Sequence, residues 1–474
     1  MIPQPSRSRP RSANGPRLRT EDIGNIYSRP APAQQYSRKA ELRAPIPLNR
    51  RGVLAAEAEW AQNVLILLLG LFAPVGAGAQ MAAGFDVSKV FAGACLFVVA
   101  AALLSRARRS AAYPPGMWMY LLFWALHTLV VYTVVCPEEL EFGYTGRLAL
   151  EGGFERVTES VSISAARVLL FALTGWAIAC LAARRTVLEW LTLGYVCGLS
   201  LSLVCGGYRT ETVLFGAREV RVAAGFLDGN AFGFSCLTCF LLCSTLLQST
   251  GRFWVRAVST AGLCITSTGL VLSGSRGAAV GLVVGFLALW RASWRWLGSA
   301  LLLAACLAAS FLVAEWAWPG VAASATQRAG LSRTLEDQGA GRIPIWASYI
   351  ERIGAYAAMG VGFQRAVEAL PPGVERKVPH DVYLITLVEF GAAGLFVFLW
   401  MLRDVARRCC ARRRSPSRGL LALFLAWAVA SLFIDSMEFR DTWIILGACC
   451  SAGAVRDAGP AADTGLIDRN ASET

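Results

Sequence analysis

Twelve apolar runs of near membrane-spanning length dominate the sequence and constrain its fold. A hydrocarbon core about 30 Å thick needs roughly twenty apolar residues for each helical crossing. The chain has 474 residues, of which 55% are apolar and only 16% are charged. It is therefore predicted to be an all-α, polytopic integral membrane bundle of about twelve transmembrane helices, and a typical soluble enzyme is excluded. The runs lie at residues 64–84, 87–104, 117–136, 164–183, 187–206, 226–247, 257–272, 277–290, 296–316, 382–402, 419–436 and 442–455.

The net charge of +13 has a topological explanation. Lys and Arg collect in the cytoplasmic loops of membrane proteins. Most of the 45 Lys and Arg fall in the two tails and the even-numbered connections, whereas the connection after the third run is rich in glutamate. We therefore predict that both termini are cytoplasmic, and we predict no nucleic-acid partner.

The runs and connections divide the chain into five parts. Residues 1–51, with eight of the 19 prolines, are predicted to be a disordered, basic cytoplasmic tail. Residues 64–316 hold spans one to nine, and residues 317–381 form a large extracytoplasmic, periplasmic loop. Residues 382–455 hold spans ten to twelve, and residues 456–474 form a cytoplasmic tail.

The long loop contains an amphipathic pattern. Ile343, Trp346, Ile350 and Ile353 recur at helical spacing, and Pro344 falls in the first turn, where proline is tolerated. The pattern predicts a helix that lies on the membrane face or caps a cavity, or one that only packs against the bundle.

Two further features of the spans predict packing. Gly277, Gly281 and Gly285 form a ladder of small residues along the eighth run, which suits close contact with a neighbouring helix. His127 lies within the third run among apolar residues, so it needs a partner inside the bundle. We interpret His127 as structural.

Three arginines and one histidine on the predicted outer face are the candidate functional residues. Arg276 lies in Ser-Gly-Ser-Arg-Gly, Arg221 precedes the sixth run, and Arg342 begins the amphipathic segment. Guanidinium groups bind phosphate oxygens in bidentate fashion and stay charged. His380, at the start of the tenth run, has the side chain best suited to take a proton from a hydroxyl near neutral pH. Each arginine alone could instead pair with lipid headgroups.

The order of several short motifs resembles the O-antigen ligase and O-antigen polymerase superfamily. The similarity extends over about residues 218–400, and the twelve-span layout with a large loop before the tenth span agrees with it. The motifs are Ser273–Gly277, Arg342–Trp346, Gly360–Phe363, His380–Leu384 and Glu389–Gly391 with Gly394.

The resemblance implies a metal-independent, inverting glycosyltransferase of the bacterial inner membrane. Such an enzyme moves a glycan from undecaprenyl diphosphate to a sugar hydroxyl of a lipid A core on the periplasmic side. The implied partners are the lipid-linked glycan donor, the glycan or lipid A core acceptor and the lipid bilayer. No cofactor and no metal are expected.

The resemblance also implies roles for individual residues. His380 would be catalytic and handle the acceptor hydroxyl, and arginines would bind the donor diphosphate. These arginines are Arg276, Arg221 and Arg342. Asp381 and Asn230 are candidate supporting residues.

Other functions stay open at the level of the sequence. A polymerase of the same superfamily would pass the glycan to another lipid-linked repeat of an O-antigen or exopolysaccharide. A polytopic transporter or flippase would favour ionisable residues near the bilayer midplane. The spans hold few acidic residues, and the notable charges cluster at one face, which favours a surface-facing enzyme. A structural subunit would tolerate changes at the candidate residues.

Overall fold

The computed structural model describes most of the chain between residues 50 and 452. The predicted tails lie outside the described residues, apart from Arg50 and Arg51. From Ala55 onward the chain forms one compact unit. The described residues are 50–75, 87–104, 113–135, 145–150, 153–158, 161–181, 185–205, 209–214, 217–222, 224, 229–290, 296–330, 341–371, 378–411 and 417–452.

Helices make up most of the described structure, and each of the twelve apolar runs overlaps one of them. Before the long connection the helices are α1 (Arg50–Phe72), α2 (Val87–Leu104), α3 (Pro115–Val130, continued by a π-helical turn, Val131–Val135), α4 (Val161–Leu181), α5 (Arg185–Cys205), α6 (Gly229–Ser249), α7 (Phe253–Ser273), α8 (Arg276–Trp290) and α9 (Trp296–Ala317). The connection holds α10 (Val321–Ala329), α11 (Arg342–Glu351), α12 (Ile353–Tyr356) and a 3₁₀ turn (Ala366–Ala369). The last three helices are α13 (Val382–Cys410), α14 (Ser417–Ala430) and α15 (Arg440–Ser451).

The described part of the chain contains six helices that are long and apolar enough to cross a membrane. They are Pro115–Val135, Val161–Leu181, Thr186–Cys205, Gly229–Ser249, Phe253–Ser273 and Val382–Cys410. Five shorter apolar helices accompany them. The chain is therefore a multi-pass membrane protein, and the count of twelve spans stays a prediction.

The first helix differs from the position that hydropathy predicted. It begins at Arg50 and ends at Phe72, whereas the apolar run was placed at residues 64–84. The earlier start includes an Ala- and Glu-rich stretch, and these residues are strong helix formers. Pro74 explains the earlier end, because proline cannot continue a helix interior.

Two antiparallel hairpins connect helices and were not part of the all-α prediction. Strands β1 (Thr145–Leu150) and β2 (Gly153–Thr158) pair between α3 and α4. Strands β3 (Arg209–Leu214) and β4 (Ala217–Val222) pair between α5 and α6. Both hairpins lie in connections between apolar runs. The alternation of polar and apolar residues in these connections is too short to predict strands.

The glycine ladder packs as the sequence predicts. A Cβ atom added to Gly281 would lie 2.8 Å from Leu237 of α6 and 2.9 Å from the carbonyl oxygen of Ala426 in α14. One added to Gly285 would lie 3.0 Å from Leu241 of α6. Helix α8 therefore packs between α6 and α14, and the glycines allow its backbone to approach both helices closely.

A buried polar network joins three helices on the side of the bundle where α15 begins. Asp441 of α15 accepts hydrogen bonds from the Tyr195 hydroxyl of α5 at 2.7 Å and the Ser235 hydroxyl of α6 at 2.8 Å. The adjacent Arg440 donates to the carbonyl oxygens of Phe72, the last residue of α1, and of Val75, three residues beyond it. Because burial of an unpaired charge is costly, these partners fix the start of α15.

Candidate functional site

The turn between α7 and α8 holds Arg276 at the first position of a helix. Gly274 ends α7 with φ 55°, in the left-handed region. The Ser273 hydroxyl accepts from the backbone N–H of Ser275, and the Ser275 hydroxyl accepts from that of Ala278. These bonds satisfy amide groups at the start of α8. Arg276 thus stands at the positive end of a helix dipole, which favours an anionic ligand.

The Arg276 side chain is half-buried and reaches into the long connection. Its Nε donates to the backbone carbonyl oxygen of Arg328 in α10 at 2.9 Å. Helix α10 also packs against β4, the strand that carries Arg221. In the hairpin, Arg221 lies opposite Thr210. Two of the predicted arginines, Arg276 and Arg221, therefore lie on elements that both contact α10.

His380 precedes α13 in an unusual backbone conformation. Its φ is 51°, its side chain is exposed, and it is one of three residues other than glycine with positive φ in the described part of the chain. A non-glycine residue in this region is uncommon and costs free energy. Asp381 caps α13, because its Oδ1 accepts from the N–H groups of Tyr383 at 2.8 Å and Leu384 at 3.0 Å. Burial raises the pKa of Asp381, and these two bonds oppose the rise.

Helix α11 links Arg342 to the His380 segment. Arg342 is the first residue of α11 and follows Gly341, whose φ is 74°. The Trp346 indole donates to the carbonyl oxygen of Pro379 at 2.7 Å. Ile343 and Ile350 are more than half exposed on this helix. The predicted amphipathic helix therefore forms, with Trp346 anchored at the candidate site and an isoleucine face that the bundle leaves uncovered.

The segment between α14 and α15 connects the Arg276 and His380 sides of the site. The backbone N–H of Val382 donates to the carbonyl oxygen of Ser431 at 3.0 Å. A Cβ added to Gly277 would lie 2.8 Å from the Cβ of Phe433. Val382, two residues after His380, and Gly277, directly after Arg276, thus contact one short turn, although they are about a hundred positions apart in the sequence.

Asn230 lies on a neighbouring element, in the first turn of α6. A Cβ added to Gly233, one turn further along, would lie 2.7 Å from both the Ser273 hydroxyl and the Ser275 Cβ. The start of α6 therefore packs against the turn that presents Arg276.

A break in α13 fixes the Gly360–Phe363 segment. Gly391 has φ 69° and ψ −172°, which is non-helical, and so leaves carbonyl groups of the preceding turn open to other partners. The N–H groups of Val361 and Gly362 donate at 2.9 Å to the carbonyl oxygens of Val388 and Glu389. The sequence motif around Gly391 is therefore a backbone junction between α13 and the long connection.

His127 holds the same junction from the side of α3. Its Nε2 donates to the carbonyl oxygen of Met359 at 2.7 Å, and its ring packs on Phe123 and Phe390. This confirms the expectation that His127 finds a partner within the bundle.

Beside the junction, three acidic side chains line a cavity that the sequence analysis did not identify. Glu389 comes from α13, and Asp435 and Glu438 come from the turn between α14 and α15. Glu389 is buried, and its carboxylate accepts from the backbone N–H groups of Gln364 and Ala366. The Gln364 amide donates to Glu438 at 3.0 Å. Glu389 lies in one of the quoted sequence motifs, but nothing local to that motif indicates that it meets Asp435 and Glu438, which follow more than 40 positions later.

The charge state of this cavity differs from that of a solvated carboxylate cluster. Removal from water raises the pKa of Asp435 to about 8, and the neighbouring Glu438 adds to the rise. Arg167 of α4 lies 3.9 Å from Glu438. Asp435 therefore keeps its proton to higher pH than a solvated aspartate, and in that form it can donate a hydrogen bond.

Comparison with known protein families gives one match. Residues 261–399 match the family model described as O-antigen ligase. The resemblance to the O-antigen ligase superfamily is confirmed. A search of curated proteins finds no match to the chain. The O-antigen ligase segment begins in α7, ends in α13 and includes Arg276, Arg342 and His380, whereas Arg221 and Asn230 precede it.

Proposed function

We propose that the protein is a glycosyltransferase that moves a glycan from undecaprenyl diphosphate to a sugar hydroxyl of a lipid A core. The observation that carries the proposal is that Arg276, Arg342 and His380 all fall within the O-antigen ligase segment and on elements linked through one turn and one helix. The site would face the periplasmic side of the bacterial inner membrane, where no nucleotide supplies energy and an activated lipid donor must do so.

Arg276 is the principal diphosphate ligand in this proposal. It combines a guanidinium group with the positive end of α8, and both favour phosphate oxygens. Arg342 has the same position at the start of α11. Arg221, on β4, would complete the set. These groups would stabilise the negative charge that develops on the leaving diphosphate in the transition state.

His380 is the general base in this proposal. Its imidazole takes the proton of the acceptor hydroxyl as the oxygen attacks the anomeric carbon. The bond from that carbon to the diphosphate oxygen breaks, and undecaprenyl diphosphate leaves with the electron pair. A single displacement of this kind inverts the anomeric configuration and needs no metal ion. The exposed position and positive φ of His380 support a functional role, since strained residues cluster at functional sites.

The proposal is tested with purified protein, a defined lipid-diphosphate glycan and a lipid A core acceptor. Arg276→Ala is expected to abolish transfer while the protein accumulates normally in the membrane. Arg276→Lys is expected to be poor, because a point charge cannot reproduce a bidentate fork. Arg256→Ala is the matched control, since Arg256 is exposed at the opposite end of α7. An active Arg276→Ala variant would leave Arg276 as an interfacial residue.

The products also separate the alternatives. A single glycan joined to the lipid A core indicates a ligase, whereas a ladder of lengths on undecaprenyl diphosphate indicates a polymerase. Movement of the lipid-linked glycan across vesicles without transfer would instead indicate a flippase.

A further inference from the structure

Helix α10, in the long connection, contacts the Arg276 guanidinium through its backbone. The carbonyl oxygen of Arg328 accepts from Arg276 Nε at 2.9 Å. Arg328 lies in the last turn of α10, and at Gly330 the backbone turns to an extended conformation, with ψ 134°. The carbonyl groups in the last turn of a helix accept no hydrogen bond from within the helix, and they carry partial negative charge. A guanidinium N–H is a suitable partner for such a group.

Helix α10 is itself held in place by the bundle. Val321 at its start is buried in the main hydrophobic core, and the Arg328 side chain at its end is only 6% exposed. The helix packs against α7, which leads into the Arg276 turn, and against β4, which carries Arg221. The carbonyl that contacts Arg276 therefore belongs to a fixed element between the two arginine positions.

This contact has a consequence for ligand binding. A long arginine side chain loses rotamer entropy when a ligand orders it, and a contact formed beforehand reduces that loss. A hydrogen bond at Nε fixes the plane of the guanidinium, and a bidentate phosphate contact can then use the Nη edge.

We propose that α10 is the positioning element of the diphosphate site and acts through the Arg328 carbonyl oxygen on Arg276. The proposal rests on the proposed function, in which Arg276 binds the donor. It assigns α10 a task separate from any contact with substrate.

The test displaces the carbonyl without altering any charge. Ala329→Pro disfavours the helical conformation of the preceding residue, Arg328, and so turns its carbonyl away. We expect the KM for the lipid-linked donor to rise about tenfold, which is the lower end of the effect expected when a hydrogen bond to a charged group is lost. The kcat should change much less. Ala323→Pro is the matched control, because Ala323 lies in the first turn, where the N–H groups make no intrahelical bond.

A double-mutant cycle distinguishes positioning from a general structural effect. Because Arg276→Ala is expected to abolish transfer, the cycle compares dissociation constants for the lipid-diphosphate glycan, measured by direct binding to the purified variants. Ala329→Pro is expected to raise this constant in the wild-type background and to change it no further in the Arg276→Ala background. An equal rise in both backgrounds, or no rise in the wild-type background, would overturn the proposal. If the proline variant does not fold, Ala329→Gly replaces it, because glycine loosens the last turn with little steric conflict. We then expect a smaller rise in the dissociation constant of the donor, which also depends on Arg276. If Arg276→Ala itself leaves the dissociation constant of the donor unchanged, the proposed function of Arg276 fails, independently of α10.

Discussion

Substitution of Gly391 by alanine tests whether the break in α13 holds the site together. With φ 69° and ψ −172°, Gly391 occupies a region that is essentially restricted to glycine, where another residue costs about 1–3 kcal/mol. An added Cβ would also lie 2.7 Å from the carbonyl oxygen of Ala358 and 3.0 Å from the nitrogen of Gly360. These are backbone atoms, so a rotamer change cannot relieve the overlap.

The expected cost follows from the strain and the bonds at risk. Displacement of the Gly360–Phe363 segment would weaken the bonds from Val361 and Gly362 to α13, each with a net contribution of about 1 kcal/mol. Together with the strain, Gly391→Ala should destabilise the protein by about 2–5 kcal/mol. We expect a lower apparent Tm in detergent, followed by tryptophan fluorescence, and reduced glycan transfer.

Gly354→Ala is the matched control for this experiment. Gly354 lies in α12 of the same connection, and a Cβ at this position would meet no heavy atom within 4 Å. Its Tm should stay at or slightly above that of the wild type, because alanine favours a helix over glycine. Equal Tm values for the Gly391 and Gly354 variants would refute the argument that the junction requires glycine.

Three other predictions concern catalysis, pH and topology. His380→Ala should lower turnover by roughly two to four orders of magnitude with donor binding retained, and near-normal turnover in His380→Gln would reduce His380 to a positioning group. Wild-type activity should fall as pH drops through the imidazole pKa. Because the pKa of Asp435 is raised to about 8, the folded protein binds more protons than the unfolded chain between about pH 4 and about 8, so stability should decrease as pH rises through that window. Asp435→Asn should flatten this dependence in thermal unfolding, whereas an unchanged slope would assign it to other groups. A cysteine in place of exposed Ala347, in a cysteine-free background, should react with a membrane-impermeant reagent only from the periplasmic side, and labelling from the cytoplasm alone would contradict the site model.

The helices were largely predictable because their signal is local. Each apolar run overlaps a helix, and the spacing of Ile343, Trp346 and Ile350 correctly predicts α11. The last residue of the predicted pattern, Ile353, begins α12 instead. The boundaries were less predictable. Helix α1 extends back to Arg50, because good helix formers without high hydropathy precede the apolar run.

The candidate residues could be chosen from the sequence by their chemistry, but their structural surroundings could not be predicted from it. Residue type alone indicates that a guanidinium group can bind phosphate and that an imidazole can transfer a proton. Nothing in the sequence indicates that the Arg276 side chain contacts a carbonyl group 52 residues away.

Local sequence therefore specifies which segments are helical and which side chains can do chemistry, because propensity and hydropathy act over a few neighbouring residues. Association of distant residues depends on how the helices pack. The cavity with Glu389, Asp435 and Glu438, the junction at Gly391 and the contact between α8 and α10 arise in this way. Each one forms between backbone or side-chain groups that are brought together only when the bundle closes, so tertiary packing gives the site its geometry.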